Sequence, residues 1–354
     1  MRVIISAGGT GGHIYPALSI INKIKEKDKN AEILYVGTTD RMEKDIIPKY
    51  GIDYYAIKVR GFDRKLSLSN FRTIKYFIKA VKDMKKIIKT FKPDIVIGVG
   101  GYVTGPVIYA AKKMHVKTII HEQNSVLGAT NKFLSKYADA VCTSLPDTKG
   151  KKIIYTGNPS SEITSEKFDK KEYNLSDNKK LVVIVMGSLG SKVVNEKMKG
   201  ILSKFNNKDY EVLFVTGNNY YDEFKELSSK NVKIVPFINN LKRVFKKTDV
   251  LVSRAGATTI SEVISYKVPT ILVPSPYVTD NHQYKNAISL VNKDMAILVE
   301  EKDLETNLVD NIDKLINDKE LLNKIKNNLS MIETTNSASK IYDVIEKVIN
   351  NELD

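Results

Sequence analysis

Six clusters of glycine and polar residues carry the side chains and backbone freedom needed to hold anions, accept protons and hydrogen-bond hydroxyls. The first is Gly8-Gly9-Thr10-Gly11-Gly12-His13, directly after an apolar stretch and just before a helix opening around Pro16. Glycines let backbone amides approach an anion, and a helix N-terminus adds partial positive charge. A tight turn ahead of a core helix is the plain alternative. From Gly9 and Gly11 the third glycine of a G-x-G-x-x-G fingerprint falls at Ile14, and no Gly-Lys-Ser/Thr follows to make a P-loop. The cluster reads as a diphosphate-type loop of a less common kind, ending in an imidazole suited to proton transfer at neutral pH.

The second cluster, Gly98 to Pro106, holds Gly100, Gly101 and Tyr102. The third, His121-Glu122-Gln123-Asn124, lacks the second histidine of a zinc motif because Ser125 stands there. Its polar side chains suit a sugar or an acceptor hydroxyl, or simply a satisfied strand end. Met186-Gly187-Ser188-Leu189-Gly190-Ser191 is not a nucleophile elbow, since methionine occupies the position of the first glycine. A second anion loop fits better. Ser253-Arg254-Ala255-Gly256-Ala257-Thr258-Thr259-Ile260-Ser261-Glu262 runs from a loop into a helix and sets Glu262 about a turn and a half inside. There a carboxylate can accept bonds from both ribose hydroxyls of a nucleotide. A favourable acid near a helix N-terminus is the plain alternative. The last cluster, Asp280 to Asn286, includes Gln283 and suits sugar hydroxyls.

The elements that must position these clusters alternate. Short apolar runs rich in β-branched residues end at or near most of them: RVIISAGG, AEILYVG, DYYAIKV, DIVIGVGG, KTIIHEQ and AVCTS, then KLVVIVMGS, YEVLFVTGN, VKIVPF, DVLVSRAG, PTILVPS and AILVE. Amphipathic stretches separate them, which predicts an α/β chain of two Rossmann-like domains with parallel sheets. The length of 354 residues also exceeds what one core usually serves. The expected domains are 1–160, taking an acceptor and a membrane surface, and 161–335, taking a nucleotide sugar. A helix in 336–354 is expected to pack back on the first. Ligands sit beyond the carboxyl ends of parallel strands, so two such edges facing each other are expected to make a cleft.

Composition excludes several classes. The single cysteine, Cys142, rules out an internal disulfide framework and fits a reducing compartment. No apolar run is long enough to span a bilayer, and the first residues lack the layout of a signal peptide. The net charge of +15 lies wholly in residues 1–160, with 28 basic and 13 acidic side chains, against 28 and 28 in 161–354. Positions 58–92 alone hold 12 basic and 2 acidic residues. Within them Phe71, Ile74, Phe77, Ile78, Val81, Met84 and Ile88 fall at helical spacing, with Lys75, Lys79, Lys82 and Lys86 among the basic residues around the other faces. Such a segment asks for an anionic leaflet, with Phe62, Leu66 and Leu68 expected to dip into the interface. A nucleic-acid partner is not expected, because no stacking platform or nucleic-acid fold motif accompanies the charge.

GGTGGH, GGYVTGP, HEQN, TGNP, SRAGATTISE and DNHQYKNA, in this order over roughly residues 1–345, resemble the GT-B glycosyltransferases of the MurG family in peptidoglycan synthesis. The resemblance implies a GT-B fold, inverting transfer of N-acetylglucosamine from UDP-N-acetylglucosamine to undecaprenyl-linked lipid I, and neither cofactor nor bound metal. It places the protein on the cytoplasmic face of the cell membrane, near other cell-wall synthesis proteins. By position it assigns the uracil to the Ile238 backbone and the ribose to Glu262. The diphosphate falls to Ser188 and to Ala257, Thr258, Thr259, Ile260 and Ser261, and the sugar to Gln283, Asn124, Thr10, Gly11 and Gly12. His13, Tyr102 and His121 line the acceptor side, with His13 the first choice of general base and His121 the second. His115 reads as a helix-end surface residue. The chain departs from the family at Ser161, where an arginine is usual, and at Leu189 in the second glycine loop. A UDP-N-acetylglucosamine 2-epimerase shares donor and architecture but leaves the basic segment unexplained. A basic nucleotide- or nucleic-acid-binding protein without catalysis leaves the motif-rich neutral half unexplained.

Overall fold

The structure is a computed structural model that describes residues 1–61, 69–187, 189–334 and 336–353. It divides into two compact units, one of residues 1–160 with 334–354 and one of residues 161–333.

In the first unit seven strands lie in the order β3-β2-β1-β4-β5-β6-β7. They are β1 (Arg2–Ala7), β2 (Glu32–Thr38), β3 (Asp53–Ile57), β4 (Ile95–Gly100), β5 (Lys117–Glu122), β6 (Ala140–Thr143) and β7 (Ile153–Tyr155). Every pairing is parallel. Val3, Ile4 and Ile5 are all fully buried, so β1 is covered on both faces, which is why its sequence is continuously apolar. One face carries α1 (Gly11–Lys27) and the chain's last helix. The other carries α3 (Ser69–Phe91) and α4 (Thr104–Lys113), with the single turn α2 (Glu43–Ile46) and short α5 (Ala129–Leu134) at the connections.

The second unit repeats the plan with β8 (Lys180–Val185), β9 (Tyr210–Val215), β10 (Val232–Val235), β11 (Val250–Ser253), β12 (Thr270–Leu272) and β13 (Ile297–Leu298), ordered β10-β9-β8-β11-β12-β13. Its helices are α6 (Lys192–Ile201), α7 (Tyr221–Phe224), α8 (Leu241–Phe245), α9 (Ala257–Tyr266), α10 (His282–Val291), α11 (Leu304–Asn317) and α12 (Lys319–Ser330). Then α13 (Ser337–Asn350) returns to the first unit, where Ile341, Ile345 and Val348 share a core with Ile14, Ala17 and Ile21 of α1. Ser337 sits so close to Gly157 that a Cβ there would strike its hydroxyl.

Strand order reverses between β1 and β4 in one sheet and between β8 and β11 in the other. In open parallel sheets these switch points are where crossovers diverge to opposite faces and leave a crevice for ligand. The glycine loops after β1, β4 and β8 and the loop into α9 all leave from these four strand ends.

Candidate functional site

In the first unit the loops after β1 and β4 interlock. Gly8 N donates to Gly100 O at 3.1 Å, and Gly101 lies against the Gly8 carbonyl with no room for a Cβ. Gly9, Gly100 and Gly101 all have positive φ, a conformation that costs side-chain-bearing residues dearly. The His13 ring packs on the bare face of Gly100, and its Nδ1 lies 3.1 Å from Gly8 O. A carbonyl only accepts, so Nδ1 carries the hydrogen of the neutral ring and the lone pair resides on Nε2. That is the tautomer a base needs if its outer nitrogen is to take a proton.

Glu43 was not singled out from the sequence. Its carboxylate is fully buried and accepts from Gly9 N at 3.1 Å, Thr38 N at 3.0 Å and Thr38 Oγ1 at 2.7 Å. The sequence does not announce its reach to the glycine loop, because the Gly9 amide is 34 residues away and α2 is one turn.

His121 is fully buried and does not present its ring to a ligand. One nitrogen, Nε2, lies 3.1 Å from Gly157 O, and Nδ1 lies 2.9 Å from Gln123 Nε2, which also donates to Val99 O at 2.8 Å. Burial, helped by the nearby His13, pulls its pKa down to about 4 against the opposing Gly157 carbonyl and Glu122. The neutral ring ties the ends of β4 and β5 to residue 157. This corrects the expectation that His121 lines the acceptor side or stands in as base. Buried Glu122 accepts from Asn124 N at 3.0 Å, Asn124 Nδ2 at 2.9 Å, Gly128 N at 2.9 Å and Asn131 Nδ2 at 2.9 Å, and so sets the loop that carries Asn124. Tyr102 is exposed, its ring stacked on Gly61. Thr10, Gly11 and Gly12 open α1, which has no side-chain cap at Thr10. His115 is exposed past the end of α4.

In the second unit Gly190 N donates to Gly187 O at 3.1 Å, and Gly190 and Gly217, both at positive φ, pack backbone on backbone. Ser188 lies outside the described residues. The exposed Leu189 follows it. Beside this loop Arg254 is buried, donating to Ser191 Oγ at 2.9 Å and Val273 O at 3.2 Å and pairing with buried Glu301. This pair, whose Glu301 half the motifs do not announce, binds the ends of β8, β11 and β12 together. Removing one partner of such a pair costs about 3–5 kcal/mol.

No side chain caps α9 at Gly256, and no acid stands in its first turn. The opening amides of Ala257, Thr258 and Thr259 therefore carry the helix's partial positive charge. Ile260 N is already committed to Gly256 O at 2.9 Å, and the Ile260 and Ser261 side chains are buried, which narrows the five-residue turn to three donors. Glu262, one turn in and half-buried, accepts no hydrogen bond among the described residues. Burial raises its pKa to about 7 against the pull of Lys242. The Ile238 side chain is buried, so only its backbone is presented, beside exposed Phe237. Gln283 Oε1 accepts from Ser275 N at 2.8 Å. Ser161 is buried, its hydroxyl accepting from Ser265 Oγ at 3.2 Å. The lining of a cavity of about 480 Å³ includes Val193, Pro274, Tyr277, Asn281, Tyr284 and Lys302 but neither Gln283 nor anything from α9.

Helix α3 divides differently from its expected stripe. Thr73, Ala80, Met84 and Ile88 face the core, whereas Phe71, Ile74 and Ile78 are 71%, 45% and 51% exposed. Exposed Lys75, Lys79, Lys82 and Lys86 flank them. At 100° per residue, Phe71, Lys75, Ile78 and Lys82 form one line along the helix. Phe62, Leu66 and Leu68 lie outside the described residues. No described helix is long and apolar enough to cross a membrane, and no described group of three or more His, Cys, Asp or Glu side chains is arranged to hold a metal ion.

Residues 3–143 match the glycosyltransferase family 28 N-terminal domain, and residues 181–348 match the family's C-terminal domain. A Bacillus cereus protein named UDP-N-acetylglucosamine--N-acetylmuramyl-(pentapeptide) pyrophosphoryl-undecaprenol N-acetylglucosamine transferase 1 is 45% identical over 362 residues, covering 99% of this chain and 100% of that protein. The chain belongs to glycosyltransferase family 28. Among solved structures, Acinetobacter baumannii MurG aligns with a TM-score of 0.80 and 27% identity, over 98% of this chain and 99% of that one. A putative UDP-N-acetylglucosamine 2-epimerase from Listeria monocytogenes aligns with a TM-score of 0.70 at 12% identity, over 100% and 97%, a likeness of fold alone. The N-terminal match takes in β1 to β6, and the C-terminal match takes in β8 to β13 and most of α13.

Proposed function

We propose that this family 28 enzyme transfers N-acetylglucosamine from UDP-N-acetylglucosamine to the muramyl 4-hydroxyl of undecaprenyl-linked lipid I, giving lipid II and UDP. The observation that carries the reading is the end-to-end match to a relative named for this transfer. The second unit takes the donor: the Ile238 backbone meets the uracil and Glu262 the ribose hydroxyls. Ser188 and the free first turn of α9 hold the diphosphate, and Gln283 the sugar. In the first unit, taken by itself, Thr10, Gly11, Gly12 and Asn124 are the residues read as sugar-binding, and His13 and Tyr102 as the acceptor side.

The acceptor oxygen attacks the anomeric carbon as the bond from that carbon to the β-phosphate oxygen breaks. The configuration inverts, the hydroxyl proton passes to His13 Nε2, and UDP leaves with the bonding pair. Negative charge grows on the departing diphosphate, so fixed amides and a helix N-terminus stabilise the transition state more than the ground state. The exposed apolar and basic face of α3 supports docking on an anionic membrane surface at its cytoplasmic side, where the lipid acceptor and other cell-wall synthesis proteins reside.

Labelled UDP-N-acetylglucosamine is incubated with a short-chain lipid I analogue, with and without EDTA. EDTA-resistant transfer that requires the acceptor is expected. UDP release without acceptor, or conversion of the donor to its 2-epimer, overturns the reading.

A further inference from the structure

We infer that Glu43 is a positioning residue for the base, acting on His13 through a single peptide unit. The inference rests on the transferase reading above. The Gly8–Gly9 peptide carries two opposed groups: its C=O, on Gly8, accepts from His13 Nδ1 at 3.1 Å, and its N–H, on Gly9, donates to Glu43 Oε2 at 3.1 Å. In a trans peptide these groups point in opposite directions within one rigid plane. Fixing the N–H end therefore fixes where the carbonyl aims.

Glu43 is itself fixed from the other side. Its second oxygen accepts from both the amide and the hydroxyl of Thr38 at the end of β2, and Tyr54 Oη donates to Thr38 O at 2.6 Å. The carboxylate thus spans from the end of one strand to the glycine loop after its neighbour. The loop sequence is matched to this span. A Cβ on Gly8 would strike the Glu43 carboxylate, and a Cβ on Gly100 would strike the His13 ring. A buried anion at the N–H end also polarises the peptide and makes its carbonyl a stronger acceptor, which favours the Nδ1–H tautomer. Carboxylate, peptide and imidazole form one chain, with the peptide in the place where a carboxylate contacts histidine directly in other base assemblies.

A residue that only supported the fold would show its loss in stability and would leave the tautomer alone. The test compares Glu43→Gln, Glu43→Asp and Thr38→Val. Gln offers one acceptor and an unwanted donor to the three donors it meets. Asp keeps the charge but is one methylene short of spanning Thr38 to Gly9. Thr38→Val removes one bond to the carboxylate and leaves the link to Gly9. The acceptor assay gives kcat and KM. Long-range ¹H–¹⁵N spectra of ¹⁵N-histidine-labelled protein give the tautomer, with His13 assigned by its absence in His13→Ala.

For Glu43→Gln and Glu43→Asp, kcat is expected to fall about 10- to 100-fold, with KM for UDP-N-acetylglucosamine within about threefold. The His13 signal is expected to move from Nδ1–H toward a mixture of tautomers. Thr38→Val keeps the Thr38 amide bond and the Gly9 link, so its fall in kcat and its tautomer shift are expected to be smaller than in either Glu43 variant, whatever its melting temperature. An unchanged kcat or an unchanged tautomer in either Glu43 variant overturns the inference. Should Glu43→Gln not fold, Glu43→Asp carries the test alone. Absence of transfer by the unaltered protein would instead count against the transferase reading, while the tautomer measurement would still judge Glu43.

Discussion

His13 Nδ1 stands 3.1 Å from the carbonyl oxygen of Gly8, a contact within its own loop that decides the protonation pattern of the ring before any ligand arrives. With the hydrogen on Nδ1, Nε2 carries the lone pair of the neutral ring. The helix start that follows fixes the backbone on which the ring is carried: Ile14 N donates to Thr10 O at 3.2 Å, and the Ile14 side chain is fully buried.

Replacing His13 with alanine removes the base and leaves the α9 turn and Glu262 untouched. Turnover is expected to fall at least about a hundredfold, with UDP affinity unchanged within a few fold. Single-turnover transfer and UDP titration measure the two separately. Near-normal turnover would remove His13 from the role.

Glu262 titrates where its job can be read. Hydroxyl donors of a ribose favour the ionised carboxylate, whereas burial holds the group near pKa 7. UDP binding is therefore expected to expel protons, about half of one at pH 7 and more as the pH falls toward 6. Affinity should weaken below pH 7 and level off above it. Calorimetry in buffers of different ionisation heat counts the protons, and Glu262→Gln should flatten the pH dependence. Folding has the opposite sign. Because the folded pKa lies above the ordinary 4.5, the carboxyl's contribution is fully present below pH 4.5 and is lost as pH rises toward 7. Glu262→Gln is accordingly expected to stabilise the protein at pH 8, by about 1–2 kcal/mol after discounting for the water that reaches the group.

His121 gives a pH dependence of stability in the first unit. Its folded pKa of about 4 lies below the ordinary 6.5, so the unfolded chain binds the extra proton in between. Stability is present above pH 6.5 and is lost as pH falls toward 4, by up to about 3 kcal/mol. Denaturant melts from pH 7 to 4 measure it. A His121→Gln variant, weaker overall, should lack that part of the slope. A slope unchanged in the variant would show that other groups carry it.

Much of this was legible in the sequence because central parallel strands are covered on both faces and read as unbroken apolar runs. The strand β7 was missed: Ile153–Tyr155 is three half-buried residues between Lys152 and Thr156, with no run to recognise. The glycine loops were legible because positive φ and backbone-on-backbone packing admit little else. Glu43 and Glu301 were not, because Glu43 reaches Gly9 across 34 residues and Glu301 reaches Arg254 across 47, and no local spacing records such contacts. In α3 the periodicity marked a helix but could not sort its apolar residues. Phe71, Ile74 and Ile78 share the spacing of the core positions, while Thr73 and Ala80 take the places facing the sheet.

That sorting supplies the last prediction. An exposed line of Phe71, Ile74 and Ile78 among lysines offers two separable contributions to a membrane surface: apolar insertion, insensitive to salt, and attraction of roughly 1 kcal/mol per lysine to an anionic leaflet, screened within about 10 Å at 0.1 M salt. Reversing Lys75, Lys79 and Lys82 to glutamate replaces three attractions by three repulsions, so binding to vesicles containing phosphatidylglycerol should fall more than about a hundredfold and be weakened much less by added salt. Phe71→Ser with Ile78→Ser should weaken binding to anionic vesicles while keeping the salt dependence. Both variants should transfer to a soluble short-chain acceptor at the unaltered rate, since none of these side chains belongs to the loops after β1 and β4. Co-sedimentation with vesicles of graded charge and transfer assays on both acceptor types make the comparison. Vesicle binding that survives the charge reversal would move the docking surface off α3.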